Sequence, residues 1–295
     1  MTSDPAPDAT VTRRSRRSGK EPASPGRAGR DLKAAIGVGV LLAAAALGSL
    51  LLLREVFLAL VVVIMAVGVW ELARAMRGTG VRVPLPPVLI GGTAMIVVAY
   101  YKGAEAQLIA LALTVVAVMV WRIADGVTGA LKDVSAGAFT ALYPCFLGSF
   151  VPLLLAAPDG HLRVIFFIVV TVFSDIGGYA VGVLFGKHPM APSVSPKKSW
   201  EGFAGSVTTC AAIGAVAMWQ FWPESVWWHG AVIGALSAGV ATIGDFIESS
   251  IKRDLGIKDM SSLLPGHGGV MDRIDSLVMT APLLWIALSY AVPIA

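Results

Sequence analysis

The sequence predicts an all-α polytopic membrane protein with about nine transmembrane helices and a cytoplasmic N-terminus. Three observations carry this. Of 295 residues, 56% are hydrophobic and only 14% charged, against about a quarter charged in a soluble domain, so most of the chain must face something other than water. Apolar runs near the twenty or so residues needed to cross a bilayer recur along the chain. Lys and Arg alternate between the ends of those runs as the positive-inside rule requires.

Residues 1–31 are rich in Pro, Ser, Gly, Ala and Arg, with Arg13-Arg14-Ser15-Arg16-Arg17 at their centre. Such a segment cannot bury a core and reads as a disordered basic cytoplasmic tail. A twin-arginine export signal is the rival reading, but the next apolar run is long enough to stay in the membrane. Runs follow at about 34–53, 56–76, 84–101, 104–123, 134–157, 162–185, 201–222, 226–247 and 270–292. The third is the weakest, because Pro84, Pro86 and Pro87 crowd its start, where a first helical turn tolerates proline. Tyr100, Tyr101, Trp121, Trp222, Trp227 and Trp228 mark run ends as interfacial aromatic belts do.

Nine spans with the N-terminus inside put 20 of the 23 Lys and Arg on the cytoplasmic side, leaving Arg54, Lys102 and Arg163 opposite. Without the tail the ratio is still 12 to 3. Eight or ten spans would reverse part of this alternation. The polar loops 186–200 and 248–269 then face the cytoplasm, where nucleotides are. Residues 32–133 carry few intramembrane charges and read as scaffold; residues 134–295 hold the polar groups and read as the functional region. The net charge of +4 comes largely from the tail, so no nucleic-acid partner is implied. Cys145 and Cys210 sit inside apolar runs without ligand spacing and read as small buried hydrophobes.

Ionisable groups inside or beside a membrane are costly and point to function. Asp175, in Phe173-Ser174-Asp175-Ile176-Gly177-Gly178-Tyr179, lies within the sixth run. It either hydrogen-bonds a neighbouring helix, with Gly177 and Gly178 allowing close packing, or the glycines open space for a ligand beside it. In the following loop, Ser195, Lys197, Lys198 and Ser199 precede a helix start at Trp200. Point charges, hydroxyls and free first-turn N–H groups make an anion site; an ordinary positive-inside loop is the bland alternative. Asp245 and Glu248 share one helix face, as do Asp272 and Asp275 after Gly268-Gly269. Four such carboxylates facing one another would repel, and a divalent cation would remove that repulsion. Oxygen-only ligands favour Mg²⁺ over Zn²⁺, unless each acid is separately paired with Lys or Arg. His267 either orients a phosphate, serves as an acid or base, or hydrogen-bonds within its turn. The glycines after it let a backbone approach phosphate oxygens at a helix start.

The order Ser249-Ser250-Ile251-Lys252-Arg253, Lys258-Asp259, Pro265-Gly266-His267-Gly268-Gly269, Asp272-Arg273-Ile274-Asp275 resembles the signature of the phosphatidate cytidylyltransferases, the bacterial CDP-diacylglycerol synthases. Ser174-Asp175-Ile176-Gly177-Gly178-Tyr179 and Ser195-Pro196-Lys197-Lys198-Ser199-Trp200-Glu201-Gly202 resemble two further blocks of that family. The resemblance covers about 170–280; the first 130 residues match in hydropathy alone. Where the family usually has Asp-Thr-Gly-Ala-Tyr, Ile176 loses a hydroxyl, while Ser199 in place of threonine keeps one.

That resemblance implies transfer of a cytidylyl group from CTP to phosphatidic acid, giving CDP-diacylglycerol and pyrophosphate, by a multi-pass protein of the cell inner membrane. It implies Asp245, Asp272 and Asp275 as Mg²⁺ ligands, with K⁺ as a second cation. Lys197, Lys198, Lys252, Arg253 and Arg273 would bind the triphosphate and the lipid phosphate, with Ser195, Ser199 and Lys258 beside them. Asp175 would line the cleft, and His267, Gly268 and Gly269 would cradle the leaving pyrophosphate. The partners are then CTP, phosphatidic acid, the bilayer and a second copy in a homodimer. Two rivals stand: a CTP-dependent transferase acting on an isoprenoid lipid, and a secondary transporter. The transporter is disfavoured because the acids gather at span ends rather than on paired broken helices at the midplane.

Overall fold

The structure is a computed structural model that describes residues 32–264 and 268–292, with the side chains of 32–36 and 38 left aside. The expected disordered tail 1–31 and His267 lie outside the described residues. Helices dominate: α1 (Leu32–Leu52), α2 (Arg54–Arg77), α3 (Leu85–Lys102), α4 (Ala104–Ala124), α5 (Ala130–Thr140), α6 (Phe150–Ala156), α7 (Gly160–Phe185), α8 (Trp200–Phe221), α9 (Trp227–Asp254) and α10 (Met271–Ala291). A π-helix, Ala141–Phe146, joins α5 toward α6. Among the described residues, eight helical tracks are long and apolar enough to span, and Gly39–Leu52 of α1 is a shorter apolar ninth. The protein is an all-α polytopic membrane fold.

Three boundaries differ from the sequence reading. The fifth span is not one regular helix: Ala130–Ala156 runs through the π-turn, which holds Pro144. Proline lacks an N–H and clashes with the preceding turn, so the α-ladder cannot continue unbroken there. The eighth span does not stop at residue 247. It continues to Asp254, so Glu248, Lys252 and Arg253 stand on the last turns of α9 rather than in a loop. The loop 186–200 contains a two-stranded antiparallel hairpin, β1 (Pro189–Ala191) and β2 (Ser195–Ser199).

Helices α7, α8, α9 and α10 pack in succession, α3 pairs with α4, and α2 lies against α3 and α10. Small residues set the closeness of the C-terminal group. A Cβ on Gly205 would lie 2.8 Å from the Gly177 carbonyl oxygen, and one on Gly202 2.9 Å from that of Gly178. Between α8 and α9, Gly214 and Gly230 approach in the same way. Membrane helices associate through such backbone approach, because lipid offers no hydrophobic drive. Gly177 and Gly178 are therefore packing residues, as the bland reading had it.

Loop contacts sort the bundle into two ends. At one, Arg54 donates to the carbonyls of Ala157 (3.2 Å) and Pro158 (2.6 Å), and Trp222 donates to Asp159 at 2.7 Å. At the other, Arg82 N–H donates to Asp133 at 2.8 Å, and Asp133 pairs with Arg122 at 2.9 Å. Cys145 and Cys210 are buried and unbonded to each other. Trp222 departs from the interfacial reading: it is buried, held by Asp159.

Candidate active site

A cleft of about 310 Å³ opens between α7, the hairpin, α8 and α9. Asp175, Tyr179, Ser195, Lys197, Lys198 and Asp245 are on its walls, and Ser199 and Gly178 help close it. Four separate stretches of sequence thus meet at one place. The two readings of Asp175 divide: its helix packs through the glycines, but no hydrogen bond to a neighbouring helix is seen among the described residues, and its carboxylate is exposed on the cleft. It is within electrostatic reach of Asp245, Lys198 and Arg273.

The hairpin carries the lysines to the cleft, and local chemistry fixes where it hands over to α8. Ser199 has extended backbone, and its hydroxyl accepts the Gly202 N–H at 3.1 Å, a helix N-cap. Trp200 N–H donates to the His188 carbonyl at 2.9 Å, while Glu201 accepts from the N–H groups of Lys187 (3.0 Å) and His188 (3.2 Å). With the turn so tied, the Lys198 ammonium pairs with Asp245 and lies 5.0 Å from the centroid of the Phe246 ring. Lys197 and Ser195 have no such partner among the described residues and face the cleft.

The four acids expected together divide into two groups. Asp245 accepts a hydrogen bond from the Ser276 hydroxyl as well as the Lys198 ammonium. That contact follows from Gly244, where a Cβ would stand 2.9 Å from the Asp275 carbonyl oxygen, so α9 and α10 touch here. Asp275 lies beside Asp245 and Glu248, and Ser276 N–H donates to it at 2.8 Å. Asp272 is turned away from Asp245. One of its oxygens takes the Lys252 ammonium at 2.8 Å; the other accepts from Met260 N–H (2.9 Å) and Gly269 N–H (2.7 Å).

Lys252 accordingly does not face the cleft: its ammonium sits between Glu248 and Asp272. The glycine turn also differs from expectation. Gly268, with φ +86°, exchanges backbone hydrogen bonds with Leu264, and Gly269 gives its N–H to Asp272. These donors are engaged within the protein rather than presented to a ligand. Arg253, Lys258 and Arg273 are exposed around the same end of the bundle.

One residue that sequence reasoning passed over holds this loop. Glu71 of α2 is 0% exposed and accepts from Ser261 Oγ (2.5 Å), Val270 N–H (3.1 Å) and Met271 N–H (2.8 Å). It caps α10 with a side chain from another helix, where a carboxylate satisfies the orphan N–H groups and complements the helix dipole. A Cβ on Gly269 would lie 2.7 Å from Glu71, so the glycine is what admits the carboxylate. The signal was present: Glu71 is the lone acid of the second apolar run, a signal of the kind that singled out Asp175.

The donor chemistry suits a hard divalent cation. Glu248 Oε1 is buried without a hydrogen-bond partner among the described residues, and Glu248 stands beside Asp275, acid against acid. Among the described residues no three His, Cys, Asp or Glu groups form a ready cage for an ion. Magnesium needs none, being commonly held by one or two carboxylates, water and substrate phosphates. Asp245 and Asp275 are the pair that fits.

Comparison with known proteins gives the family. A model of the cytidylyltransferase family matches residues 33–291. A phosphatidate cytidylyltransferase of Mycobacterium bovis is 42% identical over 276 residues, 89% of this chain and 90% of that one. Proteins of the same name from Mycobacterium leprae and Pseudomonas aeruginosa are 38% and 36% identical, covering 89% and 87% of this chain and 89% and 98% of theirs.

Proposed function

We infer the reaction from family and cleft together: the chain belongs to the cytidylyltransferase family, and it transfers a cytidylyl group from CTP to phosphatidic acid, giving CDP-diacylglycerol and pyrophosphate. The observation that carries this reading is one cleft in which Asp175 and Asp245 meet Lys197 and Lys198 at the end of a membrane bundle. It offers charge for a polyphosphate beside the boundary where a lipid headgroup lies.

The chemistry asks for position and charge neutralisation more than for a base. A non-bridging oxygen of the lipid phosphate bonds to the α-phosphorus of CTP. The bond from that phosphorus to the oxygen bridging to the β-phosphate breaks, and pyrophosphate leaves with its electron pair. The attacking phosphate is already ionised at neutral pH, so the enzyme's gain comes from in-line placement and stabilised charge.

In this reading Lys197 and Lys198 hold the triphosphate, with the Ser195 and Ser199 hydroxyls beside them. Arg273, exposed near Asp175, takes the lipid phosphate, and Arg253 and Lys258 draw anions toward the mouth. Asp245 and Asp275 hold Mg²⁺, which when bound neutralises the phosphate oxygens and supplies Lewis acidity. Lys198 exchanges its hold on Asp245 for a substrate phosphate as CTP enters. Lys252, Asp272, Gly268 and Gly269 position α10 rather than touch substrate. The cleft faces the cytoplasm and the N-terminus lies on that side, supported by the Lys and Arg bias and by the supply of CTP there.

The test is direct. Purified full-length protein in detergent receives CTP, Mg²⁺ and either phosphatidic acid or an isoprenoid phosphate. CDP-diacylglycerol and pyrophosphate should form in equal amounts from phosphatidic acid. Product from the isoprenoid phosphate alone would change the acceptor, and product from neither would overturn the reading.

A further inference from the structure

The buried hydroxyl of Tyr143 is used by nothing described above. Tyr143 is 3% exposed, its oxygen has no hydrogen-bond partner among the described residues, and its ring stacks on Phe139 with centroids 5.4 Å apart. A buried polar atom left unpaired is destabilising, and phenylalanine would fill the same space without that cost. The charges bearing on this hydroxyl are those of Asp275, Glu248 and Asp245, the last of which lines the cleft. Oε1 of Glu248, a residue 1% exposed, is likewise without a partner among the described residues. An idle donor and an idle acceptor therefore belong to one buried acidic pocket. The segment bearing Tyr143 is the π-helix, and single π-turns within α-helices are frequent at functional sites because they re-aim side chains.

We propose that Tyr143 is a positioning residue of the cation-binding carboxylates, its idle O–H being the donor that the Glu248–Asp275 pair would take up when a cation binds. The inference rests on the cytidylyl-transfer reading for its purpose. It extends the site to a span outside the motif-bearing stretch 170–280. A neutral donor suits the task. Facing two acids, it fixes which oxygens turn inward and leaves the remaining ones for the ion, as outer partners of metal ligands do. A lysine there would cancel the charge that attracts the ion.

The experiment measures Mn²⁺ binding to purified full-length protein in detergent by electron paramagnetic resonance, together with thermal unfolding. In Tyr143→Phe the Mn²⁺ dissociation constant should rise about tenfold, while the metal-free melting temperature stays level or rises. Phe139→Leu, which removes the stacking partner and keeps the hydroxyl, should lower the melting temperature and leave Mn²⁺ binding unchanged. Equal Mn²⁺ affinity in wild type and Tyr143→Phe overturns the proposal. So does an equal loss in Phe139→Leu, or a wild-type chain that binds no Mn²⁺. Failure of the transferase reading shows separately, as wild-type protein that binds Mn²⁺ but forms no CDP-lipid.

Discussion

Glu71 and Met271, 200 positions apart in the chain, meet in a hydrogen bond of 2.8 Å in which the Met271 N–H donates to the Glu71 carboxylate. The first turn of α10 is therefore held by α2. That turn bears Asp272, Arg273 and, one turn on, Asp275, so a helix of the N-terminal half fixes the angle at which those groups are presented.

Replacing Glu71 tests this. Glu71→Gln keeps the shape but turns an amide N–H₂ toward N–H donors, and should cost about 2 kcal/mol of stability. Glu71→Ala should cost more. Thermal unfolding in detergent reads the first effect. CDP-lipid formation well below the melting temperature should still fall at least about tenfold, since misplacing a reacting group by about 1 Å is enough for such a loss.

Lys198 and Asp245 are paired across the cleft. Lys198→Met removes a charge-assisted contact to substrate phosphate worth about 1.5–3 kcal/mol. The KM for CTP should rise roughly tenfold to a hundredfold, with membrane insertion unchanged. Unaltered KM would take Lys198 out of the nucleotide site.

The two acids of α10 should behave differently despite sharing a helix turn. Asp275→Asn should abolish Mg²⁺-dependent activity and leave the melting temperature near wild type. Asp272→Asn breaks the buried pair with Lys252 and weakens the loop contacts, and should destabilise by about 3 kcal/mol. Chelation should remove activity from the wild type, and added Mg²⁺ should restore it.

Asp159, outside the spans, gives a pH test. Burial works to raise its carboxyl, but hydrogen bonds from Arg163 and Trp222 outweigh that and hold it below the ordinary carboxylate value. A depressed folded-state value contributes stability above the unfolded pKa of about 3.9 and loses it as pH falls through the folded one. Wild type should melt above Asp159→Asn at pH 7. The gap should close as pH drops below about 4; a gap that stays constant with pH would exclude the carboxylate as its source.

Much of the site was legible because an ionisable group in an apolar run is expensive. That cost picked out Asp175 and Asp245 before any coordinates, the loop pattern ahead of a helix start picked out Lys197 and Lys198, and all four line one cleft. The same cost applied to Glu71, yet its meaning lay in donors 190 to 200 residues away. Periodicity also overreached at Asp272 and Asp275. An i, i+3 spacing places two side chains on one face, but Asp272 stands in the first turn, where the loop's free N–H groups and Lys252 claim it.

The sequence by itself determined the all-α membrane architecture and the residue types of the chemistry. Hydrophobic length and charge cost are properties of single segments, readable one at a time. Only the tertiary structure decided which acid pairs with which: Asp245 with Lys198, Asp272 with Lys252, Asp275 beside Glu248, and Glu71 with the start of α10. Those pairings depend on how closely glycine-lined helices approach and how their ends are capped. Both are contacts between segments, and no single segment specifies them.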